Sequence, residues 1–211
     1  ILNTQTPSGQ LYEVDMRLRP SGNSGLLVST LQAFEKYQQN DAWTWEHQAL
    51  ARARGVAGCK DTLVGFEKIR HEILCQSRDK DALREEVVNM REKMRKALGT
   101  PESKQGETFH IKHDNGGIID IEFLVQYLML ASSAEHPELT QWSDNIRQLE
   151  ELGRAGVMAV EDTEKLRETF ITLRSTIHRR ALQNLNSQVE GDAFPEERAY
   201  IRSMWQKVML D

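Results

Sequence analysis

Ile118-Ile119-Asp120-Ile121-Glu122-Phe123-Leu124-Val125-Gln126-Tyr127-Leu128-Met129-Leu130 is the most apolar stretch of the chain, and only Asp120, Glu122 and Gln126 interrupt it. A helix that is apolar nearly all round belongs at the centre of a bundle. The flanking sequence supplies the helices to surround it. Ser29 is expected to cap a helix running to about Asn40, followed by helices over about Asp41–Val56 and Asp61–Gln76. A fourth starts near Asp81, with Leu83, Val87, Met90, Met94 and Ala97 at helical spacing. Lys93, Arg95 and Lys96 complement its C-terminal dipole, and Gly99 and Pro101 predict its end. Further helices are expected over about Ser143–Leu152, Asp162–Leu185 and Pro195–Leu210, the last with Pro195 in its first position.

One strand is predicted upstream. In Leu11-Tyr12-Glu13-Val14-Asp15-Met16-Arg17-Leu18-Arg19, the apolar residues Tyr12, Val14, Met16 and Leu18 alternate with charged ones. A Ser/Gly/Asn loop follows Pro20, and Phe109–Lys112 forms a short extended piece before the turn Asp114–Gly117. The expected fold is mainly α: a helical bundle domain preceded by a short β-strand that needs neighbours from elsewhere. The chain opens Ile1-Leu2-Asn3 without Met, a basic leader or a signal-peptide core, and reads as a piece of a longer polypeptide.

Composition narrows the function. Lys and Arg number 27 against 32 Asp and Glu, a net charge of −5, which is a poor footprint for bulk nucleic-acid binding. No run of 18 apolar residues predicts a membrane span. Cys59 and Cys75 lack any paired spacing and read as reduced cytosolic thiols. The histidines form no HxH, HExxH or HxxxH set, and no GxSxG, Walker A or GxGxxG motif is present.

Three segments could carry chemistry. On the strand, Asp15, Arg17 and Arg19 point the same way: one hard carboxylate for Mg²⁺ beside two guanidiniums for phosphate. The same pattern is also, and more commonly, a solvated strand face with cross-strand ion pairs. Trp43-Thr44-Trp45-Glu46-His47-Gln48, continuing to Arg52 and Arg54, suits a helix lining a nucleotide cleft. It equally suits an amphipathic helix with core tryptophans and snorkelling arginines. Asp120 and Glu122 open the apolar helix either as metal-side carboxylates or as helix-start carboxylates bound to backbone N–H or a core arginine. Met90, Met94, Met129 and Met158 are expected as core filler.

Together these segments resemble the bacterial glutamine synthetase adenylyltransferase family. The resemblance rests on Tyr12–Gly22, on Trp43-Thr44-Trp45-Glu46-His47-Gln48-Ala49-Leu50, on Gly116-Gly117-Ile118-Ile119-Asp120-Ile121-Glu122-Phe123, and on the tail around Trp142–Asn145 and Ser203–Lys207. It covers essentially the whole chain. It implies a remnant of a nucleotidyltransferase domain over 1–59 and a helical domain over 60–211, from the C-terminal, adenylylating half of such an enzyme. The implied activity is Mg²⁺-dependent transfer of AMP from ATP to a tyrosine of glutamine synthetase. Asp15 is implied as catalytic metal carboxylate, with Arg17, Arg19, Glu46 and Arg52 on the nucleotide side. The family's Gly-Ser-x-x-Asp-x-Asp motif is absent; the one Asp-x-Asp, Asp79-Lys80-Asp81, lacks the Gly-Ser and sits at a helix start. The fragment alone is therefore expected to be inactive. Implied partners are glutamine synthetase, a PII signal protein and glutamine as effector, in the cytoplasm. Two alternatives stand beside this: a regulatory helical module that docks proteins, and the deadenylylating half of the same enzyme.

Overall fold

The computed structural model describes residues 4–7, 9–10, 14–16 and 18–211. Among them are eight α-helices: α1 (Leu31–Asn40), α2 (Thr44–Ala51), α3 (Lys60–Leu74), α4 (Lys80–Leu98), α5 (Ile118–Ser132), α6 (Asn145–Arg154), α7 (Val160–Leu182) and α8 (Pro195–Trp205), with a π-helical turn over Gln206–Leu210. Two small antiparallel sheets accompany them: β1 (Gln5–Thr6) pairs with β2 (Gly9–Gln10), and β3 (Thr108–His110) with β4 (Gln188–Glu190). None of the helices is long and apolar enough to cross a membrane.

Helix starts follow local side-chain chemistry. Thr30, not Ser29, caps α1 by accepting from Ala33 N; Asp79 caps α4 and Asp144 caps α6 in the same manner. The second helix is much shorter than the expected Asp41–Val56, because Arg70 of α3 claims its last carbonyls. The Arg70 side chain is buried, and it donates to Leu50 O at 3.1 Å, Ala51 O at 2.9 Å and Thr140 O at 2.6 Å. A guanidinium at a helix C-terminus satisfies orphan carbonyls and meets the negative end of the dipole. One side chain thereby joins α2, α3 and the turn Pro137–Gln141.

The centre is α5. Ile118, Ile121, Leu124, Val125, Met129 and Leu130 have 1% exposure or less, and the helix touches α2, α4, α6, α7 and α8. Full burial of each such side chain contributes about 1.5–3 kcal/mol. Of its polar residues, Asp120 is wholly buried and pairs with the equally buried Arg91 of α4 at 2.6 Å. Its other oxygen accepts Gly116 N at 2.7 Å, and Arg91 continues to His113 O at 2.8 Å. Asp120 is thus the helix-start carboxylate with a core arginine, the structural one of its two sequence readings.

The loop leading into α5 is set by a second carboxylate. Asp114 accepts from Thr100 N, Thr100 Oγ1 and His110 N, all within 2.7 Å. Gly116 has φ +83°, and a Cβ there would lie 2.9 Å from the Arg198 carbonyl, so only glycine fits. Gly99 ends α4 as expected, but in an extended conformation rather than a left-handed one. It is required because a Cβ would meet Arg95 O at 2.7 Å.

One further expectation is corrected, and one strand is new. The strand over 11–19 is not formed at 14–16 or 18–19; residues 11–13 and 17 lie outside the described residues. Alternation marks two faces, but a strand also needs a hydrogen-bonding neighbour. Strand β4 was missed, since Gln188-Val189-Glu190 is too short for a periodic signal and exists only by pairing with β3.

Removing Asp120 as Asp120→Ala strands the Arg91 charge in the core; a loss of about 3–5 kcal/mol is expected, read as a lower urea midpoint. The double substitution Arg91→Met with Asp120→Leu should recover most of it. His113 gives a pH test. Burial, then the charges of His110, Lys112 and Arg91, push it down to about 4. An unfolded histidine binds its proton near 6.5, so stability falls as pH drops from about 6.5 to 4 and is unaffected above. His113→Gln should flatten the fall in Tm across that window.

Candidate functional site

The turn that follows the expected strand, α1, α2, α5, α6 and α7 enclose a cleft of about 930 Å³. Three of the site residues expected from the sequence, Arg19, Glu46 and Arg52, line it together. Arg52, the C-cap of α2, reaches Glu122 Oε1 at 3.3 Å and Asn145 Oδ1 at 3.2 Å. The second and third sequence segments therefore meet through one ion pair. Arg19 turns its guanidinium onto the Met16 carbonyl. Asp15 is exposed and is not among the residues lining the cleft. Arg17 lies outside the described residues.

Glu46 is already engaged. Its oxygens accept from the Tyr37 hydroxyl at 2.9 and 3.1 Å and from Trp43 N at 2.9 Å, which completes the start of α2. Burial, with the Glu46 carboxylate beside it, pushes the Tyr37 hydroxyl above its ordinary pKa, so it stays a donor. Trp43 and Trp45 stand elsewhere. They line a separate groove of about 510 Å³ with Glu86, Met90 and Lys93 of α4, and Trp43 is 68% exposed. Neither of their two expected roles, base stacking beside Arg52 or full burial in the core, describes Trp43.

The cleft inverts the charge of the chain. Arg19, Arg52, Arg54, Lys112, Arg147 and Arg174 face Glu46, Glu122 and Asp144, a local balance of +3 on a chain of −5. The carboxylates are consumed. Glu122 holds Arg52, and Asp144 holds Arg147 at 3.2 Å while capping α6. Arg54, Lys112 and Arg174 have no carboxylate partner among the described residues. Guanidinium forks and an ammonium around one concavity suit a polyphosphate. Sequence reasoning gave no role to Lys112, Arg147 and Arg174. Arg147 carried no local signal and Arg174 sits in an ordinary amphipathic helix; only packing brings α6 and α7 to α2. No group of three or more His, Cys, Asp or Glu able to hold a metal occurs among the described residues, and Cys59 and Cys75 are both free thiols.

Replacing Glu46 by Ala should remove the acceptor of both the Tyr37 hydroxyl and the N–H of Trp43, the residue that caps α2. A loss of about 1–2 kcal/mol is expected, measured by chemical denaturation.

Comparison with known proteins places this geometry in a family. Residues 1–69 match the family model for glutamate-ammonia ligase adenylyltransferase, and residues 85–191 that for GlnD PII-uridylyltransferase. A bifunctional glutamine synthetase adenylyltransferase/adenylyl-removing enzyme of Hahella chejuensis is 54% identical over 100% of this chain. The enzymes of the same description from Pseudomonas aeruginosa and Mannheimia haemolytica are 52% and 48% identical over 99% of it. The chain spans only 21–22% of the length of these relatives. Matched over its whole length at this identity, the chain belongs to the glutamine synthetase adenylyltransferase family, as a piece whose residues 85–191 are of the PII-uridylyltransferase type.

Proposed function

We propose that this chain is the post-catalytic-motif part of an enzyme that transfers AMP from ATP to a tyrosine of glutamine synthetase, and that its cationic cleft receives the triphosphate. The carrying observation is the cluster of Arg54, Lys112 and Arg174 left without carboxylate partners around a cleft that also holds Arg19 and the Arg52–Glu122 pair. ATP is a tetra-anion in need of such donors, and the names of the relatives supply the adenylyl chemistry.

In this reading residues 1–59 complete a nucleotidyltransferase domain and 60–211 form the helical domain, within the C-terminal, adenylylating half. Arg19 and Arg52 steady phosphates, a role the resemblance implies for Arg17 as well. Glu46 acts one step back, by fixing the start of the helix that ends in Arg52. Asp15 offers a hard carboxylate oxygen, the donor type Mg²⁺ prefers, and would serve as one ligand of a site completed by other parts of the enzyme. Bound there, the ion would neutralise phosphate charge. This chain by itself is not competent for transfer. The PII signal protein and glutamine are the proposed effectors, and the cytoplasm the proposed compartment.

The test uses the intact enzyme and label transfer from α-labelled ATP to glutamine synthetase, with circular dichroism as the folding control. Asp15→Asn should reduce transfer by roughly a hundredfold or more. Arg174→Gln should raise KM for ATP by about tenfold with little change in kcat. Unchanged transfer in the first and unchanged KM in the second would remove Asp15 and the cleft from the reaction.

A further inference from the structure

The loop over 110–117 borders two concavities. Lys112 faces the cleft described above, whereas Asp114 and Asn115 line another of about 690 Å³, bounded by the C-terminal end of α4, the segment 99–108 and α8. Four cations line this second one: Arg95, Lys96, Arg198 and Arg202. Arg95 is already paired, with Glu92 at 2.6 Å and Asp120 at 3.4 Å, and Asp114 acts on Arg198 only through space. Asp114 is saturated by Thr100 and His110, and Glu102 forms no ion pair among the described residues. Lys96 and Arg202 are exposed and likewise have no carboxylate partner there.

Three residues that line the pocket also carry a buried polar atom without a partner. Arg95 Nε, Arg198 Nε and Thr108 Oγ1 are buried and have no hydrogen-bond partner. Guanidinium nitrogens only donate, so the missing partner is an acceptor. Arg198 is held in place by Gly191 O at 2.6 Å and by stacking on Phe109 at 4.0 Å. Arg202 follows it by one turn of α8, a like-charge spacing that is unfavourable unless something negative sits between.

We propose that this pocket binds a phosphate group, at a site separate from the triphosphate cleft and independent of the function proposed for it. Forked guanidiniums and one ammonium match the oxygens of a tetrahedral dianion. Occupancy would fix the loop that also carries Lys112. It would also act on Arg95, whose guanidinium reaches Asp120 at 3.4 Å at the base of α5.

The experiment is amide hydrogen exchange on the intact protein with inorganic phosphate, against sodium chloride at matched ionic strength. Phosphate should slow exchange across 99–117 and 191–202, and chloride should not. The variant Lys96→Gln with Arg202→Gln, both exposed positions, should shift the phosphate midpoint at least tenfold upward at unchanged Tm; Arg202→Gln alone should shift it severalfold. Arg174→Gln in the cleft should leave the midpoint where it was. Slowing by chloride, no slowing by phosphate, or a midpoint that moves with Arg174 but not with Arg202 would overturn the proposal.

Discussion

The fold depends on how an almost wholly apolar helix begins. α5 must be surrounded on all sides, yet its first turn contains a carboxylate with no route to water. A buried charge of this kind is tolerated only if it is paired and its remaining lone pairs are used. Arg91 supplies the pair and Gly116 N the second bond, so α4, the 110–117 loop and α5 become one unit. Replacing the pair by apolar side chains would not remove the need to fix that entry. Asp114 and the glycines at 116 and 117 hold the loop where a Cβ would collide with backbone.

A second constraint operates at the opposite partner of α5. α2 is short, and its C-terminal carbonyls would be orphaned inside the bundle without Arg70, with Gln148 adding a bond to Ala51 O at 3.0 Å. Ending the helix there places Arg52 at the C-cap, where it turns toward Glu122. The stabilising arginine and the cleft arginine thus follow from one event, the termination of α2. Charge at the cleft is a by-product of the same economy: its three carboxylates are occupied in caps and ion pairs, and Arg54, Lys112 and Arg174 have no carboxylate partner among the described residues.

Much of this was legible in the chain. The apolar run 118–130 gave the central helix because its composition alone rules out a solvated face. The cap-and-stop chemistry gave α4 and α8 to within a few residues. The core-arginine reading of Asp120 held, though no residue near it in sequence identified Arg91 as the partner. The alternating pattern at 11–19 misled, because a period of two specifies faces and not a neighbour. The second helix was drawn too long, since nothing local marks the carbonyls that Arg70 will take from twenty residues away.

The sequence by itself determined the helical class, the central helix, most helix ends and the family, since these rest on periodicity, capping and short motifs encoded within a few adjacent residues. Only the tertiary structure decided which arginines are structural and which are free to bind. Arg70 and Arg91 are spent on carbonyls and a buried carboxylate, while Arg174 and Arg202 face open concavities. An isolated arginine looks the same in every case. Its role is set by the acceptors that packing brings within about 3 Å, and those acceptors come from helices far apart along the chain.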